Sequence, residues 1–186
     1  PKNKRFSLAL VLLMCLTLCL TALSEGDTEE VSITIFDENG EVVIPSDLGI
    51  RYIYMYAFFG NEYVTKVTLP DGCLEVGEAA FYGMENLQEV VLNEDCEKLS
   101  KWAFGWNPSL RKINLDNVVT VAELCFYNCP MLSEVDLYGV HFIGERAFQG
   151  DISLTELNIQ NVGYMGNFAF ARCTGLTQLN MSQYTQ

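Results

Sequence analysis

A small residue followed by phenylalanine recurs six times along this 186-residue chain, at Ala57-Phe58, Ala80-Phe81, Ala103-Phe104, Cys125-Phe126, Ala147-Phe148 and Ala169-Phe170. Successive phenylalanines are 23, 23, 22, 22 and 22 residues apart. A period of that length marks one supersecondary unit repeated along an axis. Four apolar columns keep the same register. Five residues before each Phe stand Ile53, Val76, Leu99, Val121, Ile143 and Met165; six after come Val64, Leu87, Leu110, Leu132, Leu154 and Leu176. Nine after come Val67, Val90, Ile113, Val135, Leu157 and Leu179, and eleven after come Leu69, Leu92, Leu115, Leu137, Ile159 and Met181. The last two columns alternate with polar residues, the mark of a strand with one buried face. Segments such as Lys112-Ile113-Asn114-Leu115 should therefore stack as a parallel sheet. The spacing around Ala-Phe fits one helical turn, with Phe aimed into the coil and the small residue letting neighbouring coils approach. One coil cannot bury these faces alone, so stability should come from stacked neighbours. The predicted fold is a repeat solenoid of about six coils of 22–23 residues, of the α/β type, with short parallel strands and one-turn helices.

The run Ile143-Gly144-Glu145-Arg146-Ala147-Phe148-Gln149-Gly150, followed by Leu154, Leu157 and Ile159, resembles the BspA-type (Treponema-type) leucine-rich repeat. The likeness extends over about Ile53 to Met181. That repeat commonly carries Cys three residues after Phe. Cys129 and Cys173 keep it, whereas Asn61, Met84, Asn107 and Asp151 fill the column elsewhere. The first coil, with Tyr54, Met55 and Tyr56 around its core, departs furthest. The resemblance implies a surface or secreted protein of bacterial or protist type, several of which are adhesins for host cells or matrix proteins.

Residues 1–24 read as a signal peptide. Lys2, Lys4 and Arg5 form a basic start, Leu8 to Leu20 is apolar but for Thr17, and Ala22-Leu23-Ser24 offers a cleavage site before Glu25. The competing reading is an uncleaved span over Phe6–Leu23, which is short for a bilayer. Neither Cys15 nor Cys19 follows a lipoprotein pattern. Residues 25–50 suggest an N-terminal β-hairpin cap, with strand-like runs Val31–Phe36 and Glu41–Ile44 around the turn Asp37-Glu38-Asn39-Gly40. Residues 51–186 form the solenoid. Its C-terminal edge has no polar terminal repeat, which suits either a piece of a longer chain or an edge that self-associates; Pro1 in place of Met suits the former.

The formal charge of -13 argues against nucleic acid and anionic membrane surfaces as partners. The leader carries three of the positive charges, so the mature chain would be more acidic still. Five cysteines lie beyond the leader. Cys73 and Cys96 each fall 15 residues after a Phe, on adjacent coils about 5 Å apart, and form a candidate disulfide. Cys125, Cys129 and Cys173 read as buried free thiols. Cys125 and Cys129 with the single His141 lack metal-ligand spacing, so no metal is expected. No nucleophile–base pair or cofactor motif appears, and no enzyme or cofactor is expected.

The outward strand face is the candidate partner-binding surface: Glu89, Lys112, Asn114, Glu134, Asp136, Tyr138, Glu156 and Asn158. Within it Glu134, Asp136, Glu156 and Tyr138 make an acidic patch with one aromatic, suited to a basic or polar protein. The reading is a secreted or cell-surface repeat protein that binds a host, neighbouring-cell or matrix protein, with no membrane insertion after signal cleavage. The alternative is an assembly segment of a larger surface protein, associating through the C-terminal edge.

Overall fold

The computed structural model describes residue 37 and residues 39–181; the leader expected over residues 1–24 and the expected Val31–Phe36 strand lie outside the described residues. The six coils stack as a parallel solenoid whose wall is hydrogen-bonded along three lines.

The first line is the expected sheet. Its strands Glu41–Val43, Lys66–Thr68, Glu89–Val91 and Lys112–Ile113 pair in parallel, with Val42, Val67, Val90 and Ile113 in register and pointing inward. Glu41–Val43 therefore adds a strand ahead of coil 1. The Asp37–Gly40 turn before it is held by the Asp37 carboxylate, which accepts from the Asn39 and Glu41 amides at 2.8 and 2.9 Å. Gly40 is needed there: its φ is +78°, and a Cβ would meet the Tyr63 carbonyl oxygen at 2.3 Å. Beyond coil 3 the sheet continues only through the Lys112–Glu134 bridge, then resumes as the pair Glu156–Asn158 and Gln178–Asn180. Among the described residues no backbone hydrogen bond joins 133–137 to 155–159, so this sheet is parted between coils 4 and 5.

The second line is a six-stranded parallel sheet, with order Tyr164–Met165, Phe142–Ile143, Thr120–Val121, Lys98–Leu99, Glu75–Val76 and Tyr52–Ile53. It is built on the column five residues before Phe. Each strand is only two residues long. Just after it the coils approach too closely for any side chain at some positions: a Cβ on Gly144 would lie 2.3 Å from the Glu123 amide nitrogen.

The third line replaces the expected helical turns. Around each Phe the chain makes consecutive tight turns, and the one short helix among the described residues is the 3-10 turn Ser46–Leu48. Residues two before each Phe (Tyr56, Ala79, Trp102, Leu124, Arg146, Phe168) all have positive φ. So do those two after it (Gly60, Gly83, Trp106, Asn128, Gly150, Arg172), and among the described residues these two columns hold every non-glycine residue in the left-handed region. Alternating left- and right-handed residues turn every second N–H toward the next coil. The Tyr56, Phe58 and Gly60 amides reach the Glu78, Ala80 and Tyr82 carbonyls at 3.0, 2.7 and 2.8 Å, and the pattern repeats to coil 6. An α-helix would spend those donors inside its own turn. Left-handed φ costs each non-glycine residue roughly 1 kcal/mol or more, and the inter-coil ladder together with the packing below it holds the conformation.

Inside, the phenylalanines form one stack with successive ring centroids 4.8, 5.2, 5.4, 5.0 and 5.3 Å apart and nearly parallel planes. Phe58 through Phe148 are fully buried, and each contributes about 1.5–3 kcal/mol by leaving water. The small residue before Phe is buried in coils 2–6, as the close approach of coils requires.

Candidate functional site

The outward row of the first sheet runs Glu41, Lys66, Glu89, Lys112, Glu134, and then Glu156 and Gln178 beyond the parting. Signs alternate along most of it, and cross-strand ion pairs join Lys66 to Glu89 at 3.0 Å and Lys112 to Glu134 at 3.5 Å. Both pairs are solvated and hold register more than stability. The acidic patch is accordingly narrower than the sequence suggests. Glu134 is matched by Lys112, and Asp136 accepts the Tyr138 amide at 2.9 Å. Asn158 accepts from the Gln160 amide, and half-buried Asn114 closes both ends of its side chain on the Leu92 backbone, at 2.7 and 3.1 Å. Asn114 thus continues the ladder where the backbone does not. Glu156 and Tyr138, the latter 56% exposed, are the freest groups on the face, and they sit on opposite sides of the parting. His141 is exposed at the start of the Phe142–Ile143 strand.

Three residues after each Phe lies a sealed interior column: Asn61, Met84, Asn107, Cys129, Asp151 and Cys173. Asn107 is fully satisfied there. Its oxygen accepts the Met84 amide at 2.7 Å, and its nitrogen donates to the Phe81 and Phe104 carbonyls at 2.8 and 2.9 Å. The Cys129 and Cys173 thiols donate to the Phe104 and Phe148 carbonyls at 3.1 and 3.0 Å. Asp151 accepts the Cys129 amide at 2.7 Å, but its second oxygen is buried without a partner. Burial pushes its carboxyl well above the ordinary range. All five described cysteines are buried and free. Counted backward from the following Phe, Cys73 and Cys96 stand eight residues before it, in one column with Ile50, Val118, Val140 and Val162. They are core positions. Burial raises both thiols, Cys96 to about 12. Among the described residues no three His, Cys, Asp or Glu side chains are grouped to hold a metal ion.

The turn face carries a feature that the strand-face reading passes over. A chain of rings runs across four coils. Tyr56 meets Phe59 edge-on at 5.7 Å, Phe59 stacks on Tyr82 at 5.2 Å, and Tyr82 meets Trp102 edge-on at 5.6 Å. Trp102 meets Tyr127 edge-on at 5.4 Å, and Tyr127 lies 6.0 Å from Trp106. Phe59, Tyr82 and Tyr127 share the position after the core Phe. In coil 3 that position is Gly105, and Trp102 lies across it: a Cβ on Gly105 would touch the indole at 2.7 Å. The sequence signal was the aromatic content of that column and the glycine interrupting it.

Two parallel sheets, a turn ladder and a stacked Phe core define a leucine-rich-repeat solenoid. The model of the BspA type leucine rich repeat region matches residues 51–177 in six copies, and the chain belongs to that family. Three solved structures are similar. A leucine-rich repeat protein from Bacteroides ovatus ATCC 8483 is 30% identical, with TM-score 0.64, covering 71% of this chain and 34% of its own. The T. pallidum leucine rich repeat protein is 24% identical, with TM-score 0.67, covering 77% and 70%. A leucine rich cell surface protein from Faecalibacterium prausnitzii A2-165 is 24% identical, with TM-score 0.55, covering 77% and 48%. This chain thus spans about a third of the Bacteroides protein and about half of the Faecalibacterium one. Comparison with curated proteins finds no match.

Proposed function

We propose that this chain is the protein-binding repeat region of a secreted or cell-surface protein, acting by adhesion to a host, neighbouring-cell or matrix protein and not by catalysis. The observation that carries the reading is the division of labour within each coil. The inward columns are sealed, while the outward first-sheet row is solvated and varies in charge from coil to coil over a constant frame. Rigid solenoids present such faces to partners. The surface location draws on the family and on the cell-surface neighbour. It also draws on the leader reading of residues 1–24, among which cleavage before Glu25 is part of the proposal, as is the hairpin cap over residues 25–50.

The test is binding of residues 25–186 to a panel of matrix and cell-surface proteins, beside a Glu134→Lys/Asp136→Lys/Glu156→Lys variant with an unchanged melting curve. A partner bound by the parent and lost in the variant supports the reading. Absence of any partner for the parent counts against it. It would turn attention to assembly, which concentration-dependent mass would detect.

Cys73 and Cys96 form a second part of the proposal. In an oxidising compartment these two register-matched thiols would pass two electrons and two protons to an external disulfide and bridge adjacent coils. Alkylation of the exported, denatured protein then modifies three cysteines; modification of all five refutes the bridge.

A further inference from the structure

The aromatic chain on the turn face lies outside the buried Phe stack and is partly open to solvent. Tyr56 and Phe59 are about half exposed, at 53% and 52%, and Trp106 is 46% exposed. Exposed, contiguous rings of this kind are unfavourable in water and are typical of contact surfaces, where Tyr, Trp and Phe are enriched.

The charges around it indicate what would cover it. Glu62 and Glu85 follow Phe59 and Tyr82 by three residues, and Glu78 stands at the same coil position as Lys101 and Glu123. Among the described residues Lys101 is bound to Glu123 at 3.0 Å, the other lysines are likewise paired, and none of the ion pairs reaches Glu62, Glu78 or Glu85. The first two coils of the ridge therefore combine the exposed rings of Tyr56 and Phe59 with carboxylates outside the ion pairs, on a chain whose formal charge is -13. The turn face already hosts the matching interaction once: the Arg146 guanidinium of coil 5 lies over the Phe168 ring of coil 6 at 5.2 Å. A cation above a ring face with a carboxylate beside it is the environment that an arginine side chain fits best.

We propose that the ridge Tyr56–Phe59–Tyr82–Trp102–Tyr127–Trp106, flanked by Glu62, Glu78 and Glu85, is a docking surface for an arginine-rich segment of a partner protein. It is distinct from the sheet face above. Guanidinium groups seat on the rings of coils 1–4, and the glutamates fix their order along the solenoid axis.

Trp102 and Trp106 are the chain's two tryptophans, so emission reports on this surface alone. Residues 25–186 are titrated with an oligo-arginine peptide, an oligo-glutamate peptide and cellohexaose, by calorimetry and tryptophan emission at physiological salt. Two variants are run alongside. Phe59→Ala/Glu62→Gln/Glu85→Gln alters exposed groups only, and Glu134→Lys/Asp136→Lys/Glu156→Lys removes more negative charge from the opposite reading's face. The expected result is saturable binding of oligo-arginine with a change in emission, weakened at least tenfold in the ridge variant and by less than threefold in the sheet-face variant. Equal weakening in both variants would show diffuse charge attraction and overturn the proposal, as would an unaffected ridge variant. A response to cellohexaose without one to oligo-arginine would overturn it in favour of a glycan surface. Because the sheet-face variant is read separately, failure here leaves the sheet-face reading standing, and the converse holds.

Discussion

The Cys129 amide donates to Asp151 of the next coil at 2.7 Å, while the other carboxyl oxygen of Asp151, sealed in the same column, finds no donor. Asn107 solves the same position two coils earlier with an amide that donates to two Phe carbonyls. Asp151→Asn should therefore stabilise the fold, by about 1–3 kcal/mol near neutral pH, read as a rise in the urea midpoint at constant slope.

The same group sets a pH dependence. Unfolded, its carboxyl releases a proton in the ordinary aspartate range; folded, burial holds that proton to well above this range. The folded state binds the extra proton between those two limits, so stability falls as pH rises through that window and levels off above the folded pKa. The slope from this group approaches about 1.4 kcal/mol per pH unit. Asp151→Asn removes it, and urea unfolding of both proteins from pH 4 to 8 checks the difference.

Phe126 touches Phe104 and Phe148 in the stack, at 5.4 and 5.0 Å. Phe126→Ala should cost about 3–5 kcal/mol, whereas Phe170→Ala, at a half-buried position ending the stack, should cost visibly less. A larger loss at Phe170 than at Phe126 would contradict the stacked core.

Gly105 leaves the slot that Trp102 fills. Gly105→Ala should displace the indole from between Tyr82 and Tyr127, at a cost of about 1–3 kcal/mol for overpacking, and reduce near-ultraviolet circular dichroism while far-ultraviolet signal is retained. An unchanged aromatic signal would refute the packing described.

Burial pushes Cys173 up to about 11 and raises Cys125 and Cys129 well above the ordinary thiol range. Because the thiolate is the reactive form, these three thiols should resist Ellman's reagent at pH 8 in the folded protein and react at once in denaturant. Fast native labelling at any of them would show the coil interior to be open.

The six Phe positions and their four companion columns were legible because burial repeats with the period of the coil, and the first sheet, its parallel sense and its inward residues follow from that. The left-handed positions were not. Tyr56, Ala79, Trp102, Leu124, Arg146 and Phe168 share neither Gly nor Asn, and their φ is imposed by hydrogen bonds to the neighbouring coil. Cys73 and Cys96 share no apolar column when counted from the preceding Phe and join an Ile/Val column only when counted from the following one, since coils 1 and 2 carry one extra residue. Glu89, Lys112, Glu134 and Glu156 share the outward row of the first sheet, as their common column implies, but the occupation of Asn114 by Leu92 and of Glu134 by Lys112 depends on three-dimensional register. The aromatic ridge joins residues from different columns through an absent side chain at Gly105, and a column-by-column reading does not see such a juncture.

The parting of the first sheet between coils 4 and 5 has a mechanical meaning. Elsewhere each coil is laced to the next along three lines; here the second sheet and the turn ladder remain, with Ser153 to the Pro130 carbonyl at 2.6 Å and Asn161 to the Tyr138 carbonyl at 2.8 Å as side-chain stitches. A stacked array transmits load only as well as its weakest junction. A pull along the axis would thus open this molecule like a book, on the side of Glu134 and Glu156 and with its spine at the other two lines, before any coil unravels.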